Sequence, residues 1–124
     1  MFDLNPAVSP SGKMVAVASF QSKSWNYDEV QNPKTDIYVM NVGSEEHQED
    51  QGRKLLIKDG GWPSWGSDNI IFFHRVIDDI TSVVRYNIRT KETSRVTPWE
   101  LDAMTPAAIS ETKVAVATDR KSVV

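Results

Sequence analysis

The apolar residues of this chain come in short runs, each bounded by turn-forming residues. Met14 to Phe20 is rich in valine and alanine, and Pro10 with Ser11-Gly12 stands just ahead of it. Further runs follow at Asp36–Val42, Arg53–Lys58, Ile70–Val76, Ser82–Ile88, Thr93–Thr97 and Lys113–Ala117. Runs of this length, with β-branched and aromatic residues between Gly, Pro, Ser, Asn and Asp clusters, predict strands. Ahead of three of them the chain writes the same phrase. It reads Asn5-Pro-Ala-Val-Ser-Pro-Ser-Gly-Lys, then Trp62-Pro-Ser-Trp-Gly-Ser-Asp-Asn, then Thr105-Pro-Ala-Ala-Ile-Ser-Glu-Thr-Lys. Each copy is a proline, a small residue, a polar turn and then an apolar run.

The prolines at 6, 63 and 106 lie 57 and 43 positions apart. The second spacing falls within the roughly 40–45 residues of a four-stranded propeller blade. Each copy predicts a short strand a opened by its proline, followed by strands b, c and d. The expected fold is therefore all-β, a partial β-propeller of about two and a half antiparallel blades forming a segment of a larger ring. Blade 1 is expected at about 5–58, blade 2 at about 62–98, and a partial blade 3 at about 105–124. Strands b (near 14–19, 70–75 and 113–118) are apolar at consecutive positions, as a sheet covered on both faces requires. A β-sandwich ranks second, because its strands leave one face polar.

The phrase Pro-Ala-Val-Ser-Pro-Ser-Gly-Lys-Met-Val-Ala-Val-Ala-Ser, followed by Asp36-Ile-Tyr-Val-Met-Asn-Val, resembles the WD40-like repeat of TolB-type propellers. The same repeat builds the N-terminal propellers of dipeptidyl-peptidase IV-like proteins. Val8–Gly12 and Asp36–Asn41 carry the likeness best. Ser11 stands where the family prefers aspartate, the second copy shortens its turn to Gly66-Ser-Asp-Asn, and the third has Ser110-Glu-Thr with neither proline nor glycine. The resemblance implies a propeller that binds a protein or peptide, or one that gates access to a hydrolase.

Charge and composition narrow the field. A net charge of −3 leaves no basic footprint for nucleic acid. No apolar run approaches the roughly 20 residues of a membrane span, and Met1-Phe-Asp-Leu-Asn-Pro lacks the basic and apolar regions of a signal peptide. The absence of cysteine removes disulfides, thiolate metal sites and thiol nucleophiles. Gly61-Trp-Pro-Ser64-Trp-Gly66 is not a nucleophile elbow, since position 62 would have to be glycine. Its expected role is a turn with Trp65 packed between blades. His47 and His74 have no metal-ligand spacing, so a solvated loop and a blade-edge position are expected for them. The acidic stretch from Glu45 to Asp50 lacks the alternation of a calcium loop. No cofactor, metal or catalytic residue is expected.

Binding is the remaining chemistry. In an antiparallel blade the b–c and d–a connections emerge on one rim. Trp25, Tyr27, Asp28 and Glu29 fall in the b–c insertion of the first repeat, Asp78 and Asp79 in that of the second, and Trp99 in a d–a connection. Tryptophan and tyrosine are the residues most over-represented at binding hot spots. These seven are the candidate partner-contacting residues, with packing between blades the alternative for Trp62 and Trp99. The leading expectation is a non-catalytic scaffold for a protein or peptide partner. The alternatives are the substrate-gating propeller of a prolyl-oligopeptidase-like serine hydrolase and a sugar- or small-molecule-binding propeller. Open blade edges lead to the further expectation of self-association.

Overall fold

A computed structural model describes residues 3–20, 34–42 and 53–118 of the chain. The ten strands found there form three antiparallel sheets, of four, four and two strands, and no helix occurs among the described residues. By packing the chain divides into two compact units, Met1–Pro63 and Ser64–Val124.

The first unit holds β1 (Asp3–Val8), β2 (Met14–Phe20), β3 (Thr35–Asn41) and β4 (Lys54–Ile57), hydrogen-bonded in chain order. The β1–β2 turn is built from Ser9 and Gly12. The Ser9 N–H donates to the Met14 carbonyl at 2.8 Å, and the buried Ser9 hydroxyl accepts the Met14 N–H at 3.1 Å. Gly12 takes a φ of +79°, which only glycine adopts without strain. β2 and β3 pair without interruption from Met14 opposite Asn41 to Phe20 opposite Thr35. At the far end the buried Asp36 carboxylate accepts the Asp59 N–H at 2.7 Å, and the Thr35 hydroxyl donates to the Gly60 carbonyl at 2.7 Å. These two side chains fix where the chain leaves β4.

The second four-stranded sheet runs β5 (Gly61–Trp65), β6 (Ile70–Ile77), β7 (Ile80–Asn87), β8 (Glu92–Arg95). β6 and β7 pair along their whole length, closing on Asp78-Asp79, both with φ above zero (52° and 67°). That is the two-residue hairpin turn whose twist matches the strands. The third sheet is the hairpin β9 (Ala103–Ala108) and β10 (Val114–Thr118). Within the second unit Ile70, Phe72, Val83 and Ala103 form a buried core, joined by Leu101, Ala108, Val114 and Val116. Sheet two thus packs face to face on the β9–β10 hairpin. Ile71, Phe73 and Val84, on the opposite face, are also buried, so β6 and β7 are apolar on both sides as their consecutive hydrophobic residues demand. β10 differs: Val114 and Val116 are half-buried while Ala115 and Ala117 are exposed.

The strand positions follow the sequence reading, with one correction. The prolines do not open their strands. Pro6, Pro63 and Pro106 lie inside β1, β5 and β9, which begin two or three residues earlier. The residue before each proline is left-handed, with φ of 54° at Asn5, 56° at Trp62 and 47° at Thr105. In β1 the pairing with β2 shifts register between Leu4 and Ala7, and in β9 the pairing with β10 shifts between Met104 and Ala107. These are β-bulges, in which two residues face one on the partner strand. Proline fits there because it supplies no N–H to the ladder.

Candidate functional site

The end of the second sheet that carries the b–c turn exposes two aspartates and, close by in the chain's course, a tryptophan. Its elements are local in origin. Asp78 and Asp79 are solvent-exposed at a turn that needs left-handed residues, which aspartate tolerates better than most. Beyond β8 the chain runs through Val96 and Thr97 beside β7. The Val96 N–H donates to the Val83 carbonyl at 2.8 Å, and the buried Thr97 hydroxyl accepts the Val83 N–H at 3.0 Å. A tight turn follows, closed by the Leu101 N–H on the Pro98 carbonyl at 3.0 Å, with Trp99 and Glu100 at its apex. Trp99 is 64% exposed. The alternative weighed for this residue, packing between blades, has no counterpart among the described residues. Trp62 is 40% exposed, whereas Trp65 is buried.

Asp102 then accepts the Thr81 N–H at 2.8 Å. Thr81 lies two residues after Asp79, and Asp102 three after Trp99. The bond therefore pins the Trp99 turn to the same end of the sheet as the Asp78–Asp79 turn. Of the seven residues singled out in the sequence, these three come to one end of one unit. Trp25, Tyr27, Asp28 and Glu29 lie outside the described residues, as do His47 and the acidic stretch around it.

Residues outside the seven candidates tie the second sheet to the third. The Ser64 hydroxyl accepts the Ala108 N–H at 2.9 Å, so this serine is engaged in joining β5 to β9. Arg85 Nε donates to the Glu111 carbonyl at 2.8 Å. His74 stands on a central strand, half-buried, and its Nδ1 accepts the Thr105 N–H at 3.0 Å. Burial holds its imidazole below the ordinary value of 6.5, because the charged form would lose its hydration. The expected blade-edge position is thus replaced by a place in the seam between sheets. The one signal available in the sequence was the apolar run around His74, which leaves a histidine there half-buried. No group of three or more His, Cys, Asp or Glu able to hold a metal occurs among the described residues.

Four-stranded antiparallel sheets whose strands pair in chain order, the second packed face to face on the hairpin that follows it within the second unit, define a propeller-type fold. No family model matches the sequence, and no curated protein matches it. Solved structures do match in fold. An acylaminoacyl peptidase, in complex with Z-Gly-Gly-Phe-chloromethyl ketone, is similar over 98% of this chain with a TM-score of 0.68 and 16% identity. A Mycobacterium tuberculosis puromycin-hydrolyzing peptidase is similar over 95% with a TM-score of 0.66 and 16% identity. The chain spans 18% and 19% of the length of those two proteins.

Proposed function

We propose that this chain forms part of the propeller of a prolyl-oligopeptidase-like serine hydrolase, where it shapes access to a catalytic domain and supplies no catalytic residue itself. The observation that carries this reading is the fold likeness over nearly the whole chain to two separate peptidases. Ser64 supports the division of labour, since its hydroxyl is committed to the Ala108 N–H in the middle of a packed seam. An activated nucleophile needs instead a base within hydrogen-bond reach and an oxyanion site beside it.

The test uses two proteins. The polypeptide that carries these residues within a longer chain is treated with a fluorophosphonate probe, and labelling is expected at a serine outside residues 1–124. The purified 124-residue chain is then assayed with an N-acetyl-aminoacyl nitroanilide, and no turnover is expected. Failure of the longer protein to label, or turnover by the short chain that Ser64→Ala abolishes, overturns the reading.

A second reading rests on Trp99. An exposed tryptophan held on a pinned turn beside two aspartates has the make-up of a protein- or peptide-contacting rim. In this reading Asp78, Asp79 and Trp99 act with Trp25, Tyr27, Asp28 and Glu29 in binding a partner, and the propeller is a scaffold. A propeller can host either function, so the site has to decide.

A further inference from the structure

Thr105 is an improbable residue for its conformation. A β-branched side chain with φ of 47° is a genuine outlier, and it persists only where its surroundings over-determine it. A buried neighbour and two hydrogen bonds do so here. Pro106, the next residue, is fully buried. The Thr105 hydroxyl turns back to donate to the Met104 carbonyl at 2.8 Å. The Thr105 N–H, which the bulge takes out of the β9–β10 ladder, is received by His74 Nδ1 at 3.0 Å. That last contact sets the protonation state. A nitrogen that accepts an N–H carries a lone pair, so the ring is neutral with its proton on Nε2. An imidazolium presents donors at both nitrogens and faces the Thr105 N–H with a proton of its own.

We propose that His74 is an acid-sensitive latch, which in its neutral form holds the Thr105 bulge and with it the β9–β10 hairpin on the second sheet, and which on protonation releases them. The charged groups on the elements packed against it have partners of their own. His74 pairs with Val83, so the two share the face turned to β9. On that face β7 brings Arg85, engaged with the Glu111 carbonyl. Asp102, just ahead of β9, is engaged with the Thr81 N–H. β5 and β9 contain no ionisable side chain, and Arg75, the neighbour on β6, lies over the Phe73 ring on the other face. The sign of the effect follows from burial. Because the folded imidazole titrates below its ordinary value, the latch is complete above that value and is lost as the pH falls toward the folded one. This proposal is independent of the enzymatic or scaffold role above.

Amide hydrogen exchange of the 124-residue chain, read by NMR from about pH 7 to pH 5, tests it. After correction for intrinsic exchange, Thr105 protection is expected to fall by up to about tenfold per pH unit between the ordinary histidine value and the His74 midpoint and to level off below it, while amides of β2 and β3 stay level. In His74→Asn, whose Oδ1 accepts without titrating, Thr105 protection is expected to stay level across the same range. The ring nitrogen shifts of the unaltered chain give a second reading, with His47→Gln separating the two histidines. They are expected to show the Nε2–H tautomer, titrating in step with Thr105 protection. A His74 that titrates without moving Thr105, or a His74→Asn chain as acid-sensitive as the original, overturns the latch.

Discussion

Gly66 stands where the turn between β9 and β10 comes close against the second sheet. A Cβ added there would meet the Ser110 carbonyl oxygen at 2.7 Å, the Phe72 ring at 3.0 Å and the Glu111 Cα at 3.2 Å. Two of the three are backbone atoms, which cannot swing aside, so Gly66→Ala has to push the β9–β10 turn off the sheet. We expect a loss of about 1–3 kcal/mol in denaturant unfolding, as for other overpacked sites. Gly12 is the counter-case. Nothing lies within 4 Å of its would-be Cβ, and only its φ of +79° opposes alanine, so Gly12→Ala should cost about 1 kcal/mol. If both substitutions prove equally mild, the close approach at Gly66 is not real. Trp99 belongs to the same scale. Because it is exposed at a turn apex, Trp99→Ala should leave the melting temperature nearly unchanged. If the rim binds a partner, capture should weaken by about 1–3 kcal/mol in a titration of that partner. A large drop in melting temperature would instead mean that the ring packs on something structural.

At the level of elements, the sequence was most legible where local chemistry and packing agree. Met14–Phe20 and Ile70–Val76 read as strands because they are apolar at consecutive positions, and sheets covered on both faces are built from such runs. The starts of β1, β5 and β9 were not legible, since proline usually marks a boundary and here follows a left-handed residue inside the strand. Nor was the seam. Ser64, His74 and Arg85 each bond to a backbone group 26 to 44 positions away, and no local pattern announces such a contact. Of the candidate site, the shared end of Asp78, Asp79 and Trp99 followed from strand order, while the exposure of Trp99 depended on a turn closed by Leu101 and Pro98. The β6–β7 turn permits a direct test. Replacing Asp78-Asp79 by Asn-Gly suits both left-handed positions and should stabilise the chain by up to about 1 kcal/mol, read as a rise in melting temperature. A fall would mean that the aspartates make contacts that matter more than turn strain. Truncating the core of the same hairpin, Phe72→Ala, should cost about 3–5 kcal/mol in the same assay.

For the chain as a whole, the edges of the sheets differ in how well they are guarded. β8 is short, wholly exposed and carries Glu92 and Arg95, and β1 and β9 are broken by bulges and prolines, all devices that discourage foreign strands. β10 has none of these. Its described partner is β9 alone, and its Val-Ala-Val-Ala run exposes Ala115 and Ala117. We therefore expect the 124-residue chain to self-associate as its concentration rises in light scattering, and Ala115→Lys with Ala117→Lys to suppress this. A chain that stays monomeric throughout would show that β10 is covered. The bulges have a different consequence for how such a molecule changes over time. Asparagine, tryptophan and threonine occupy the same left-handed position in three copies, so what the repeats share there is a bend and not a side chain. Each copy holds that bend with contacts of its own, as the Thr105 hydroxyl does on the Met104 carbonyl, so the chemistry there can differ between copies. Each copy can therefore alter what it displays beside its proline, one blade at a time, without renegotiating the sheet that carries it.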